Sequence, residues 1–420
     1  MRKVVITGIG AVTPLGKDIN STWDNVTAGR SGIRQITKFD AAGLQSRIAG
    51  ELKDFDPEEY ISKKDILRLD PFVHYAAAAA LMACEDSGLT DWASENGTGL
   101  SKGVLQYAPT GVIIGSSRGG ITSLEKALER HLLKGKPFSA YLMSASTINM
   151  ASAYVSMRLG CRGPALGIST ACASGTNAIG EAFRMIQRGD IDIAIAGGSE
   201  APVCRLAVGG YGASGALSGR NNEPDKASRP FDRDRDGFIV AEGACVVALE
   251  ELNHALKRNA IIYAELAGYG TSSDAFHQTK PDSGGEAVAV SKALKDANVR
   301  IEEVDYINAH ATSTLLGDAA EAKAIEQVFG RRTRDVHVSS CKSMLGHMLG
   351  AAGALEAAIT ALSIKRGIVP PTMNLENRDP ECGLNIVTSM IFKDINAAVS
   401  NSFGFGGVNA VLVLRKLKGR

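Results

Sequence analysis

The feature that most constrains this chain is a recurrence of short Val- and Ile-rich runs that stop at glycine or a polar residue, with helical patterns between them. Val4–Gly8, Val112–Gly115, Ala165–Ile168, Ile191–Ala196, Cys245–Leu249, Tyr263–Ala267, Tyr306–Asn308, Val336–Ser339 and Val411–Leu414 read as buried strands. Their apolar residues run on instead of alternating, so both faces are expected to be covered. A 3.6-residue period predicts helices over Ala76–Ser87, Ser123–Lys134, Thr176–Arg188, Glu286–Asn298, Ala319–Phe329 and Ala351–Arg366. Several stop at glycine, as at Gly189 and Gly367. Strands alternating with helices predict an α/β fold with a mainly parallel sheet.

The same ladder occurs twice. Ala244–Leu252 matches Asn409–Leu417 in pattern and length. Upstream, Ser169-Thr170-Ala171-Cys172 leads into a helix ending at Gly189, and Ser339-Ser340-Cys341-Lys342 leads into one ending at Gly367. Two pseudo-duplicated βα halves follow, 1–258 and 259–420, the first carrying an extra stretch at about 121–160. Sites in such folds fall where the halves meet at strand ends.

Composition narrows the function. The 420 residues carry 46 basic and 45 acidic side chains, a formal charge of +1. That balance argues against nucleic acid, which calls for a basic face. The longest apolar stretch, Tyr75–Cys84, is too short to span a bilayer, so no membrane insertion is expected. The seven cysteines form no Cys-x-x-Cys pair, which argues against a zinc site or disulfide framework and for a reducing, cytoplasmic setting.

Three segments carry chemistry. In Gly167–Gly175 a strand ends at small residues around Cys172, which opens a helix whose apolar face is Ala178, Ile179, Ala182, Met185 and Ile186. Unpaired N–H groups at a helix start stabilise a thiolate, so Cys172 is the candidate nucleophile. His310 and His347 occupy comparable strand-to-helix connections, in Asn308–Thr314 and Lys342–His347; the other five histidines read as surface or core. Asp232-Arg233-Asp234-Arg235-Asp236-Gly237 imitates a calcium loop, but Gly243 stands where the twelfth-position ligand belongs. Ser339-Ser340-Cys341-Lys342 lacks the partner motifs of penicillin-binding hydrolases, and no glycine run matches a nucleotide-binding loop.

Together these segments, with Val4–Gly8 and the terminal Asn401-Ser402-Phe403-Gly404-Phe405-Gly406-Gly407, resemble the elongating, synthase II-like β-ketoacyl-[acyl carrier protein] synthases, condensing enzymes of the thiolase fold. The likeness covers essentially the whole chain. It implies layers packed α-β-α-β-α and a decarboxylative Claisen condensation. Cys172 would hold the acyl group as a thioester, and the N–H groups of Cys172 and Phe405 would form an oxyanion hole. His310 and His347 would stabilise the carbanion left by decarboxylation of malonyl-carrier, with Lys342 and Glu356 as a charged pair beside them. Thr312 and Thr314 would hold the phosphopantetheine arm, Phe405 would act as a gate, and Phe238 would line the decarboxylation pocket. The implied partners are an acyl carrier protein and a second copy of the chain; no organic cofactor or catalytic metal is implied, although relatives carry a structural monovalent cation.

The sequence departs from the family pattern at Ala311, Leu315, Cys341, Leu345 and Val408. Arg118 is the sharpest departure, since fatty-acid members place an apolar residue about there, near the floor of the acyl tunnel. A buried arginine is costly unless paired. Either Arg118 lines the tunnel and the primer is short or polar, or it points away and pairs with an acid. A specialised polyketide or aryl-polyene ketosynthase, and a non-catalytic chain-length factor, are the alternative functions. Lys63, Lys64 and Arg68 form a basic cluster that would suit an acidic carrier, although a solvated helix face accounts for it better.

Overall fold

The computed structural model describes residues 1–89, 105 and 109–417. Ten strands form its main sheet: β1 (Val4–Val12), β2 (Thr110–Gly115), β3 (Ala165–Ile168), β4 (Ile193–Glu200), β5 (Gly243–Glu251), β6 (Ala264–Ser273), β7 (Tyr306–Asn308), β8 (His337–Ser339), β9 (Ala397–Gly404) and β10 (Val408–Arg415). Their spatial order is β8-β7-β9-β10-β6-β1-β5-β4-β2-β3. Outward from the β1–β6 seam, β1, β5, β4, β2 and β3 repeat in mirror order as β6, β10, β9, β7 and β8. At that seam Val4, Val5 and Ile6 pair antiparallel with Leu266, Glu265 and Ala264.

The sheet is mixed, not mainly parallel. β2, β3 and β4 run parallel, as do β7, β8 and β9, but β5 and β10 each oppose both neighbours. A short hairpin over Phe405–Gly407 joins β9 to β10, and only antiparallel strands can be joined so tightly. An apolar run such as Val411–Leu414 carries no mark of direction, which is why the sequence did not reveal it.

Helices make three layers around this sheet. The outer pair on one side is α1 (Pro71–Asp86) and α3 (Met150–Leu159), separated in sequence by α2 (Ile121–Lys134). Between the two halves of the sheet lie α4 (Ser174–Arg188), which precedes α5 (Arg205–Ala213) in the chain, and α8 (Ala352–Arg366). The far side holds α6 (Ser283–Ala297) and α7 (Leu315–Phe329). Three hydrophobic clusters match the three helical layers: Ile179 with Leu355 in the middle, Ala79 with Ile195 on one side, and Val290 with Ile325 on the other. The result is the α-β-α-β-α stack.

Small residues allow the layers to approach. A Cβ on Gly10 of β1 would stand 2.0 Å from the Ala79 carbonyl of α1, and one on Gly8 would stand 2.2 Å from that of Ala83. In the middle, a Cβ on Gly353 would meet Thr176 Oγ1 at 1.9 Å. α8 is buried from Ala352 to Ile364, so its alanines and glycines face protein on every side.

One strand departs from the burial expected of it. Ala165, Leu166 and Gly167 of β3 are exposed, because β3 is the last strand of the sheet and no strand among the described residues pairs with its outer side. Replacing Gly10 with valine should push α1 off β1 and destabilise the chain by about 1–3 kcal/mol. A lower urea midpoint at unchanged slope would report that loss.

Candidate active site

β3 ends at Ile168, and Cys172 stands four residues on, before α4 begins at Ser174. Ala171 turns the chain there with a φ of +50°, a left-handed conformation that alanine adopts only under constraint. α4 has no side-chain cap at its start, so the small residues around Cys172 leave its first turn open. The second half builds the equivalent place from β8 and α8. Between them a single helical turn, Lys342–Leu345, and Gly346 at φ +75° present His347.

His310 follows β7 directly. Its loop is held from behind by Glu321 on α7, whose carboxylate accepts the N–H groups of His310 at 2.8 Å and Ala311 at 2.6 Å, and the Asn401 amide at 2.9 Å. Glu321 was not singled out from the sequence. Its spacing marks an ordinary acidic residue in a helix, and its partners come from a loop and a strand that the helical pattern does not reveal.

These elements converge. Cys172 Sγ and ring nitrogens of His310 and His347 all lie within 4.8 Å of one another. The imidazoles meet edge to face, with centroids 5.3 Å apart, and Phe238 packs against His347 at 5.4 Å. All four residues line one cavity of about 460 Å³, together with Thr312, Thr314 and Phe405. The hydroxyls of Thr312 and Thr314 are 3.2 Å apart. Phe405 stands at the β9–β10 hairpin, where Gly406 and Gly407 both have positive φ, and its N–H points at the Cys172 sulfur.

Lys342 and Glu356 sit behind this cavity. Both are buried and form an ion pair. Burial pushes the Glu356 carboxyl up to about 7, against the pull of Lys342. Arg118 lies outside the cavity lining and is exposed in the single chain. Its Nε donates to Tyr211 Oη at 2.8 Å, and its guanidinium lies 5.2 Å from that ring's centroid. Tyr211 itself lines the cavity. The Arg118 backbone N–H donates to Glu200, a buried carboxylate that also binds Ser116, Ser117 and the Gly350 N–H.

The electrostatics correct one expectation. Enclosure drives the Cys172 thiol up to about 11, outweighing the Phe405 N–H and the Lys342 charge, so the thiol and not the thiolate is the resting form. Enclosure also lowers both imidazoles well below their usual range, reinforced by Lys342. Two neutral rings therefore face a neutral thiol, and neither His347 ring nitrogen has a hydrogen-bond partner among the described residues.

The Asp232 segment is a structural turn. Its carboxylate pairs with Arg229 and accepts the N–H groups of Asp234, Glu376 and Asn377, which ties two loops together. A different group suits a cation. Asn308 Oδ1, Ser400 Oγ and Glu356 Oε2 are buried oxygens without a partner among the described residues. Asn308 and Ser400 are register partners on β7 and β9, and the Asn308 amide reaches the Glu356 carbonyl at 3.3 Å. An all-oxygen set with one carboxylate fits a hard monovalent cation.

The whole chain matches known proteins. The family of beta-ketoacyl synthase N-terminal domains matches residues 1–255, and that of the corresponding C-terminal domains matches residues 263–376. This chain belongs to the β-ketoacyl synthase family. It is 46% identical to 3-oxoacyl-[acyl-carrier-protein] synthase 2 of Coxiella burnetii, with 99% of each chain covered, and 45% identical at the same coverage to that of Staphylococcus aureus COL. Among solved structures it is similar to the ishigamide ketosynthase/chain length factor (TM-score 0.91, 37% identity, covering 99% of this chain and 100% of that one). A second is a type II PKS acyl-carrier protein in complex with its ketosynthase bound to the hexaketide, at TM-score 0.89, 33% identity and the same coverage. The chain is thus a condensing enzyme of the thiolase fold.

The free synthase should alkylate slowly at Cys172. Its rate with iodoacetamide is expected to rise by roughly tenfold per pH unit from about pH 7 to about pH 9, as the thiolate fraction grows. A rate that levels off below about pH 8, read by peptide mass, would contradict the raised thiol.

Proposed function

We propose that this synthase takes an acyl group from an acyl carrier protein onto Cys172 and condenses it with malonyl-carrier, releasing a 3-ketoacyl-carrier two carbons longer. The observation that carries this reading is the meeting of one thiol and two neutral imidazoles in a single cavity.

In the first half-reaction the Cys172 sulfur attacks the acyl thioester carbonyl. Its proton passes through a neighbouring neutral imidazole to the departing pantetheine sulfur. The tetrahedral oxyanion is met by the N–H groups of Cys172 and Phe405. In the second, the malonyl carboxylate leaves as carbon dioxide and its electron pair becomes an enolate, whose oxygen accepts hydrogen bonds from His310 and His347. Neutral imidazoles suit this task because each still offers one N–H donor. The enolate carbon then attacks the acyl carbonyl, and the Cys172 sulfur leaves and is reprotonated.

Lys342, locked to Glu356, acts as a positioning residue for the histidines and biases them toward neutrality. Thr312 and Thr314 offer hydroxyls to the pantetheine amides, Phe238 fixes the His347 ring, and the glycines beside Phe405 let it swing as a gate. Asn308, Ser400 and Glu356 would hold a structural monovalent cation.

The acidic carrier is drawn to basic side chains at the surface, with the exposed Lys63 and Lys64 and the half-buried Arg68 as candidates. A second copy covers the exposed β3 edge. An uncovered edge strand carrying the exposed Leu166 is a template for strand pairing.

A shorter or more polar primer, as in a specialised ketosynthase, is the second reading; it rests on Tyr211, which lines the cavity and accepts from Arg118, since Arg118 itself lies outside the lining. Efficient elongation of long saturated acyl-carriers by the purified protein would remove that second reading. For the reaction itself, Cys172→Ala should abolish the acyl mass shift and elongation. His310→Ala and His347→Ala should each still reach the mass shift through the remaining imidazole and lose elongation by roughly 100-fold or more. Full elongation by Cys172→Ala would overturn the proposal.

A further inference from the structure

The cavity contains an acid that the steps above leave unused. Glu286 lies in the first turn of α6 and is 1% exposed, yet it lines the same cavity as His310 and Thr312. Its Oε2 is buried without a hydrogen-bond partner, and no side-chain hydrogen bond to Glu286 occurs among the described residues. A buried polar group left unpaired is costly, so such a group is normally completed by something the chain itself does not contain.

The surroundings specify what completes it. Four carboxylates face it: Asp274 just beyond β6, Asp282 at the cap of its own helix, and Asp318 and Glu321 on α7. The β9–β10 pair adds only the neutral amides of Asn401 and Asn409, and these are committed to Glu321 and Asp274. Lys280 also lines the cavity but is exposed to solvent. Burial and these like charges hold Glu286 protonated, well above the usual carboxylate range. A protonated carboxyl offers an O–H donor, which an acceptor oxygen satisfies.

We propose that Glu286 is a specificity-determining residue of the condensation half-reaction, its carboxyl hydrogen-bonding an oxygen of the carrier-bound malonyl substrate. This rests on the malonyl-condensing reading above. Asp274 sets the position: its N–H donates to the Gly407 carbonyl at 2.8 Å, so the Glu286 wall adjoins the hairpin that carries Phe405. Glu321 and Asp318 place Glu286 beside the His310 loop, the end of the cavity assigned to decarboxylation. A primer already attached to Cys172 does not require this group, whereas an incoming extender does.

The test separates the half-reactions. The full-length wild type, Glu286→Ala and Glu286→Gln are assayed for acyl transfer to Cys172 by intact mass and for condensation with varied malonyl-acyl carrier protein. Glu286→Ala should raise KM for malonyl-carrier by roughly tenfold while leaving Cys172 acylation unchanged, the size of one lost hydrogen bond. Glu286→Gln keeps an N–H donor and should restore KM to within about threefold. Unchanged KM in Glu286→Ala, or equal impairment of acylation and condensation in both variants, overturns the proposal. A wild type that neither acylates Cys172 nor condenses overturns the reading on which it rests.

Discussion

The site exists because the two halves of the chain touch backbone to backbone at their glycines. A Cβ on Gly198 would stand 2.5 Å from the Gly350 carbonyl, and one on Gly175 would stand 2.8 Å from the same oxygen. Only with those side chains absent can the start of the cysteine helix lie against the turn that follows His347. Glu200 fastens the contact, binding the Gly350 N–H on one side and the Ser116–Arg118 loop on the other. Wider spacing would put the thiol and the imidazoles out of each other's reach, and most of the chemistry depends on that reach.

Charge is managed by exclusion. The thiol and both imidazoles are neutral at rest, and the other ionisable groups sit one layer back, as Lys342 with Glu356, Arg235 with Asp379 and Glu200 among amides and hydroxyls. A reaction that develops negative charge on an oxygen at each of its steps gains from such a setting, because fixed N–H groups act more strongly where water is scarce. The raised thiol is consistent with this: the low-polarity surroundings that disfavour a resting thiolate also favour donors that wait for a transient oxyanion.

Much of this was legible in the sequence, and the remainder has physical causes. Cys172, His310 and His347 could be found because each follows a recognisable strand and opens a helix or turn. β9 escaped notice because Ser400, Asn401 and Ser402 interrupt its apolar run. In the fold those polar groups are buried, with Ser402 meeting Thr176 at 2.7 Å and Asn401 meeting Glu321. Ala165–Ile168 was legible as a strand but not as an edge, since edge position depends on the neighbours a strand lacks. Glu321 and Glu286 looked like solvated helix residues because acids at helical spacing usually are, and only tertiary packing reveals that both face inward.

The distance in sequence between Cys172 and the hairpin at Phe405 has a consequence for biosynthesis. A ribosome makes the thiol well before both histidines and the hairpin. Until those segments fold back, a nascent chain carries the Cys172 sulfur without the imidazoles and the Phe405 N–H that meet it in the folded site. Translation order alone therefore keeps an incomplete chain from condensing acyl groups.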